Sequence, residues 1–326
     1  MPAAYRHGFP VIGLVALALL APGVHAQPER SRPLRIIVPY PPGGSSDVQA
    51  RLVAQGLSER LAQPVVVENR PGASAIAGTD YVARQPADGG TLLLAAPPFV
   101  ITPYTEGKLP YDARRDFVGV SLLSRAPMLV AVGRESPARS MADLVGQARA
   151  QPGRMAYGSV GAGGLGHMAT ELLAQRLGLE LLHVPYKGSA PALVDLAGGR
   201  IALMLTTQLD MAAQLSAGTV RVLATGSPQR SRLLPSVPTL AEAGLGAIDL
   251  GNWFSGLVIR AGTRPEWIER LSTETAALLQ RAELRDRLEA QGVEPVGSSA
   301  TAFTAFLDAE HARWAEVTSR LPVRER

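Results

Sequence analysis

The sequence predicts an α/β protein made of two α/β units. Three observations carry that expectation. Short apolar or β-branched runs alternate with amphipathic helical stretches, the alternation restarts in the middle of the chain, and glycine-rich turns follow two of the runs. At 326 residues the chain is long enough for about two domains. With 46% hydrophobic and 18% charged residues and a mean hydropathy of +0.10, it has the composition of a folded protein.

Residues 34–40 form a buried-strand pattern that stops at Pro41-Pro42-Gly43-Gly44. A helix follows, because Val48, Leu52, Val53, Leu57 and Leu61 share one face, and Ser46 with Gln49 three residues on reads as a capping box. Val65-Val66-Val67 is the second strand, 75–84 a helical stretch and 91–95 the third strand. The pattern then restarts, with strands at 126–132, 155–159, 181–184, 201–205 and 220–224. Helices fall at 141–150, 165–177, 191–196 and 211–215. A last strand at 253–259 precedes long helical patterns over 265–291 and 302–321, which have no sheet of their own and return to cover the first unit. The chain therefore crosses between units near 120–130 and again near 250.

Residues 1–26 read as a secretory signal. Arg6 and His7 precede an apolar stretch at 11–21, then Pro22 and a small-residue site at Val24-His25-Ala26. Cleavage after Ala26 leaves Gln27 first. The stretch is shorter than the ~20 residues of a membrane span. The absence of cysteine excludes disulfides, thiolate metal sites, a cysteine nucleophile and a lipidated N-terminal cysteine. Lys+Arg 32 against Asp+Glu 28 is near balance and no dense basic run occurs, which sets nucleic acid aside as a partner.

The chemistry concentrates in two turns at the carboxyl ends of strands, Tyr40 to Asp47 and Gly158 to His167. Each presents backbone N–H groups at a helix start, where the macrodipole favours negative charge, so each is a candidate half of an anion clamp. Ligands of open α/β sheets bind at such strand ends. Two other readings stay open at this point. Gly161-x-Gly163-x-x-Gly166 formally matches a dinucleotide fingerprint but lacks the acidic residue on the next strand, which ends Val184-Pro185-Tyr186-Lys187. The glycines also fit a tight turn with close helix packing.

Catalytic constellations are thin. His167, His183 and His311 show no metal-ligand spacing. Ser159 is outside a Gly-x-Ser-x-Gly elbow because position 157 is Tyr, although a secreted hydrolase stays an alternative. Lys187 stands out because Lys108 is the only other lysine, and it reads equally well as a solvated loop charge. Trp253 and Phe254, at the second crossover, read as core or hinge packing.

Taken together, these residues resemble the substrate-binding proteins of tripartite tricarboxylate transporters, the Bug group of periplasmic receptors. The matching segments are Val38-Pro39-Tyr40-Pro41-Pro42-Gly43-Gly44 with Asp47, Val67-Glu68-Asn69-Arg70-Pro71-Gly72-Ala73, Leu109-Pro110-Tyr111-Asp112, Tyr157-Gly158-Ser159 with His167, and Val184-Pro185-Tyr186-Lys187-Gly188. Pro235-Ser236-Val237-Pro238-Thr239, Glu242-Ala243-Gly244 and Ala261-Gly262-Thr263 extend the match over nearly the whole chain after residue 26.

The resemblance implies a type II periplasmic-binding fold of two α/β domains, 27–125 with 252–326 and 126–251, closing on a ligand in the cleft between them. It implies a monomeric, non-catalytic periplasmic receptor without cofactor or metal, which hands a small organic carboxylate to transporter membrane subunits. A sensing receptor for a signalling partner is the alternative. One jaw would comprise Tyr40, Pro42, Gly43, Gly44, Ser45, Ser46 and Asp47. The other would comprise Ser159, Gly161, Ala162, Gly163, Gly164 and His167. Ala96, Pro97, Lys187, Thr206 and Thr207 complete the expected site. Two departures from the family pattern stand out. Gly163-Gly164-Leu165 lacks side-chain donors, and Thr206-Thr207 stands where members frequently have aspartate, so amino acids are expected to bind less well than non-aminated carboxylates.

Overall fold

The computed structural model describes Met1 and residues 32–320. The secretory-signal reading of 1–26 lies outside the described residues. The first part of the chain runs β1 (Leu34–Val38), α1 (Ser45–Leu61), β2 (Val65–Asn69), α2 (Ile76–Ala83), β3 (Thr91–Ala95), α3 (Pro98–Thr105) and β4 (Phe117–Pro127). The middle runs β5 (Leu129–Gly133), α4 (Met141–Ala150), β6 (Ala156–Ser159), α5 (Leu165–Leu177), β7 (Leu182–Pro185), α6 (Ser189–Ala197), β8 (Leu203–Thr206), α7 (Gln208–Ser216) and β9 (Val220–Thr225). The chain closes with β10 (Asn252–Arg260), α8 (Pro265–Leu279), α9 (Ala282–Glu289), β11 (Glu294–Pro295) and α10 (Ala300–Ser319).

These strands make two sheets of one design. The six-stranded sheet has the order β11-β4-β10-β3-β1-β2, and the five-stranded sheet β7-β6-β8-β5-β9. In the first, β1 pairs in parallel with β2 and β3, and β10 is inserted antiparallel between β3 and β4. In the second, β6 pairs in parallel with β7 and β8, and β5 is inserted antiparallel between β8 and β9. The inserted strand is in each case the first one the chain makes on passing from one sheet to the other. Most strands of each sheet thus run the same way, as the alternation predicts, with β10 and the short edge strand β11 reversed in the first sheet and β5 in the second.

The apolar run at 126–132 splits between the two sheets. Ala126 and Pro127 end β4, and Leu129 starts β5. Pro127 has no N–H to continue a ladder, and Met128 instead accepts the Gly226 N–H at 2.7 Å. A local pattern of uniform hydrophobicity carries no mark of that switch. The predicted helix over 265–291 is likewise two helices, with Arg281 extended between them. Leu278 and Leu284 would sit roughly 120° apart on one straight helix, and the break lets both face the core of β1 and α1.

The terminal helices do cover the first sheet. Leu271, Leu278, Leu279, Leu284 and Leu288 pack with Leu34, Ile36 and Leu57 on one face. Phe303, Leu307 and Trp314 of α10 join Ile37, Leu93 and Phe99 on the other, in a core that continues to Val130 and Leu205 of the second sheet. Arg313 anchors α10 to the returning chain by donating to the Asp249 carboxylate at 2.6 Å and the Asp249 carbonyl at 2.5 Å. Burial raises the Glu310 pKa, and its carboxylate accepts bonds from Trp314 Nε1 at 3.0 Å and Arg313 Nε at 3.1 Å.

Backbone packs closely against backbone where α6 meets the end of β5. A Cβ at Gly133 would press on the carbonyl oxygen of Leu196, which is fixed backbone. Gly133→Ala is expected to destabilise the protein by about 1–3 kcal/mol, read as a lower urea midpoint with an unchanged slope.

Candidate functional site

Two loops at the carboxyl ends of β1 and β6 have nearly the same backbone. Gly43 and Gly163 take φ of +84° and +77°, a region open to glycine. Gly44 and Gly164 then cap their helices in extended conformation, at φ −76°, ψ 167° and φ −74°, ψ 166°. Neither cap carries a side-chain hydrogen bond. The first N–H groups of α1 and α5 thus have no intrahelical acceptor and lie at the positive end of their helix.

Each loop is held from below by the side chain four residues after its left-handed glycine. The Gly43 N–H donates to Asp47 Oδ2 at 2.9 Å, and the Gly163 N–H donates to His167 Nδ1 at 3.0 Å. Asp47 also receives Arg51 through two bonds at 3.0 Å and the Asn69 amide at 2.8 Å. Burial raises the Asp47 pKa, but the bonds from Arg51, the Gly43 N–H and Asn69 outweigh it and bring it down to about 2. The Asn69 amide in turn donates to the Tyr40 carbonyl at 3.1 Å. The capping-box reading of Ser46 and Gln49 is not what forms. The helix starts at Ser45, and Gln49 is buried, accepting from Ser124 Oγ at 2.8 Å and Ser255 Oγ at 2.6 Å. The call of β4 and β10 on that side chain is a tertiary effect that the local spacing does not show.

Two adjoining cavities of about 430 Å³ each open at these loops. They share Tyr40, Pro41, Pro98 and Leu165. The first is lined by Gly44, Ser45, Ser46, Ala96, Pro97 and Trp253 in addition. The second is walled by Gly161, Ala162, Gly163 and Gly164, facing α3 and the 71–75 loop. Burial, together with the nearby Tyr111, raises the Tyr40 pKa, so its hydroxyl stays neutral. Among the described lining residues the single charged side chain is Glu106, and none is cationic. An anion in this space would meet backbone N–H groups and the hydroxyls of Ser45, Ser46 and Ser74, whereas Thr102 gives its hydroxyl hydrogen to the Pro98 carbonyl at 2.7 Å and Thr105 its own to the Ile101 carbonyl at 3.4 Å.

The other expected site residues lie elsewhere. Pro42 is exposed and Gly43 serves the turn. Asp47, Ser159 and His167 are buried beneath the loops. Ser159 Oγ lies 2.6 Å from His183 Nε2, a serine–histidine contact, yet the serine is 0% exposed and its hydroxyl donates to the Gly161 carbonyl. Thr206 and Thr207 are buried and donate to Asp210 Oδ2 at 3.0 and 3.2 Å. Burial raises the Asp210 pKa even though both threonines bond to its carboxylate. Lys187 is exposed and lines neither cavity.

Sequence reasoning looked to residues 95–100 for pocket side chains, and Ala96, Pro97 and Pro98 do line the cavities, but it did not place the 71–75 loop or the later part of α3 from Ile101 to Thr105 at the site. Ala73, Ser74 and Ala75 hold φ of 44°, 52° and 74°, three successive left-handed residues of types that rarely adopt this conformation. The one available signal was Pro71-Gly72, a turn marker that does not say which space the turn borders.

The two sheets, each with an inserted reversed strand, joined by two crossings and with paired helix starts at a cleft, define a type II periplasmic-binding fold. The sequence pattern of the tripartite tricarboxylate transporter family receptor, TctC, matches residues 49–322, and the chain belongs to that family. It is 37% identical over 310 residues to protein BugT of Bordetella pertussis, covering 94% of this chain and 95% of BugT. The structure of R. palustris Rpa4515 with adipate superimposes with a TM-score of 0.77 at 36% identity, over 89% of this chain and 97% of that one. MatC of Rhodopseudomonas palustris with bound malate gives 0.73 at 25% identity, over 88% and 99%.

The Asp47 carboxylate stabilises the fold only while it is ionised. Its folded pKa lies below the unfolded value, so its contribution is complete above about pH 4 and is lost as the pH falls toward 2. Asp47→Asn is expected to cost about 1–2 kcal/mol at pH 7 and to flatten the stability profile between pH 4 and 2, measured by urea unfolding across that range.

Proposed function

We propose that this protein is an exported receptor that captures a small organic carboxylate in the cleft and delivers it to the membrane subunits of a tripartite tricarboxylate-type transporter. The observation that carries the reading is the pair of glycine-capped helix starts, one from each sheet, opening on adjoining cavities with no cationic side chain among the described lining residues. Such sites hold an anion by oriented N–H groups and helix ends. The carboxylates named for two similar structures, adipate and malate, support the ligand class.

In this reading the lobes are 27–125 with 252–326 and 126–251, and each supplies one jaw. Ligand first occupies one jaw, and closure brings the second set of donors and removes water. The 1–26 segment directs export and is cleaved after Ala26, so the mature receptor is periplasmic. It acts as a monomer and carries out no reaction of its own. With no cation in the lining, the loops must keep their shape for the N–H groups to converge, and the conformations at Gly161 and Gly163 are part of the ligand site. Thr206 and Thr207 line neither cavity, so they give no ground for discrimination against an ammonium group, and Glu106 is the one charged side chain among the described lining residues.

A thermal-shift screen of the chain from Gln27 onward tests the reading with adipate, malate, aromatic acids, amino acids and a nicotinamide cofactor. A ligand at ~100 times its Kd stabilises by ~2.7 kcal/mol, roughly 5 °C for a chain of this size. A shift with one class of carboxylate is expected, whereas silence with every acid or a shift with cofactor alone would overturn it. Gly161→Val forces a β-branched residue to a φ of +91° in otherwise open space. It should weaken carboxylate binding by on the order of a hundredfold while costing about 1–3 kcal/mol of stability, read by calorimetry and unfolding. Unchanged affinity would remove that loop from the site.

A further inference from the structure

Beneath the second glycine-rich loop two histidines lie face to face. The rings of His167 on α5 and His183 on β7 are 4.1 Å apart between centroids and 17° from parallel. Tyr157 of β6 stacks on His183 at 4.9 Å. Both imidazoles are tied to the loop. His167 Nδ1 accepts the Gly163 N–H at 3.0 Å. Ser159 gives its one hydroxyl hydrogen to the Gly161 carbonyl at 2.9 Å, so His183 Nε2, 2.6 Å away, is the donor to Ser159 Oγ.

Charged and titratable groups approach this pair from several elements. Glu171, one turn along α5, has Oε1 3.9 Å from His167 Nε2 and accepts the Tyr157 hydroxyl at 2.5 Å. Beside β7, Tyr186 lies against Gly158 and donates to Asp195 of α6, which pairs with Arg200. From α10, Glu316 pairs with Arg176 of α5 at 3.6 Å, and Glu310 and His311 are buried further along that helix. Asp210 sits past the end of β8, held by Thr206 and Thr207.

The equivalent side chain in the other loop is a carboxylate, and this asymmetry matters. Asp47 accepts the Gly43 N–H throughout the neutral and mildly acid range. A proton on His167 Nδ1 instead turns the acceptor into a donor that faces the Gly163 N–H. His183 donates through Nε2 in either state, but a charge on it would lie against a charged His167 ring in the same stack. Imidazole is the side chain that changes charge between about pH 5 and 8.

We propose that His167, with His183 stacked on it, is a positioning pair that keeps loop 160–164 in its ligand-ready shape only while His167 Nδ1 is unprotonated. Acidification then loosens this loop and leaves the Gly43 loop in place. On the receptor reading, which this consequence rests on, affinity falls with pH because one jaw is lost.

The test follows the chain from Gln27, without ligand, by two-dimensional amide NMR between pH 8 and 5. The Gly163 amide is expected to shift in step with the His167 ring protons, with the Gly43 amide still. In His167→Asn, whose side-chain oxygen can accept the Gly163 N–H, the Gly163 amide should not titrate. A Gly163 amide that stays still while the His167 ring titrates would overturn the proposal, as would the same titration in the variant. Calorimetry with adipate at pH 7.5 and 5.5 gives the second reading. The affinity ratio of wild type to His167→Asn cancels the ligand's own titration and should fall about tenfold at the lower pH. An unchanged ratio also counts against the proposal. If adipate binds neither protein at either pH, that failure belongs to the ligand reading, and the amide titration still decides the role of the histidines.

Discussion

The hydrogen bond from a left-handed glycine N–H to the side chain four residues ahead is the interaction on which the site depends. Gly43 makes it to Asp47 and Gly163 to His167. Without it, a loop of small residues before a helix has many conformations of similar energy, and its N–H groups would not converge. With it, the extended glycine that follows becomes the helix cap and the first turn of N–H groups points into the cleft. With no cation in the lining among the described residues, an anion there would depend on this geometry and on the Ser45, Ser46 and Ser74 hydroxyls.

The frame repeats the same economy. Each sheet receives the strand that follows a crossing as its inserted reversed member, β5 in one case and β10 in the other. The two crossing strands therefore sit inside the sheets, hydrogen-bonded on both edges, and the chain passes between the sheets at Met128 and over 226–251. The Arg313 contacts with Asp249 tie α10 to the chain near the end of the second of these. The core against α10 continues from Ile37 and Leu93 to Val130 and Leu205, so the lobes share buried surface next to the cleft.

Much of this was legible locally. The β-branched runs, the helical spacing of Val48, Leu52, Leu57 and Leu61 and the glycine turns at strand ends place the elements and name the two loops. The segments shared with the receptor family add the fold, which the family match and the similar structures bear out. What local patterns missed depended on partners far along the chain. Gln49 looked like a capping residue and is instead bonded to Ser124 and Ser255, 75 and 206 residues away. The apolar run through Met128 divides between two sheets, and nothing in its uniform composition records the division.

The sequence by itself determined the alternating elements, the two glycine-rich helix starts and the lack of thiol chemistry, because propensity, spacing and residue counts are local properties. The tertiary structure decided which residues reach the cavities. It brought Trp253, the 71–75 loop and the later part of α3 into the walls and placed Asp47, Ser159 and His167 underneath as supports. It also stacked His167 on His183, sixteen residues further on in the chain, since only the pairing of β6 with β7 beneath α5 sets those two rings face to face.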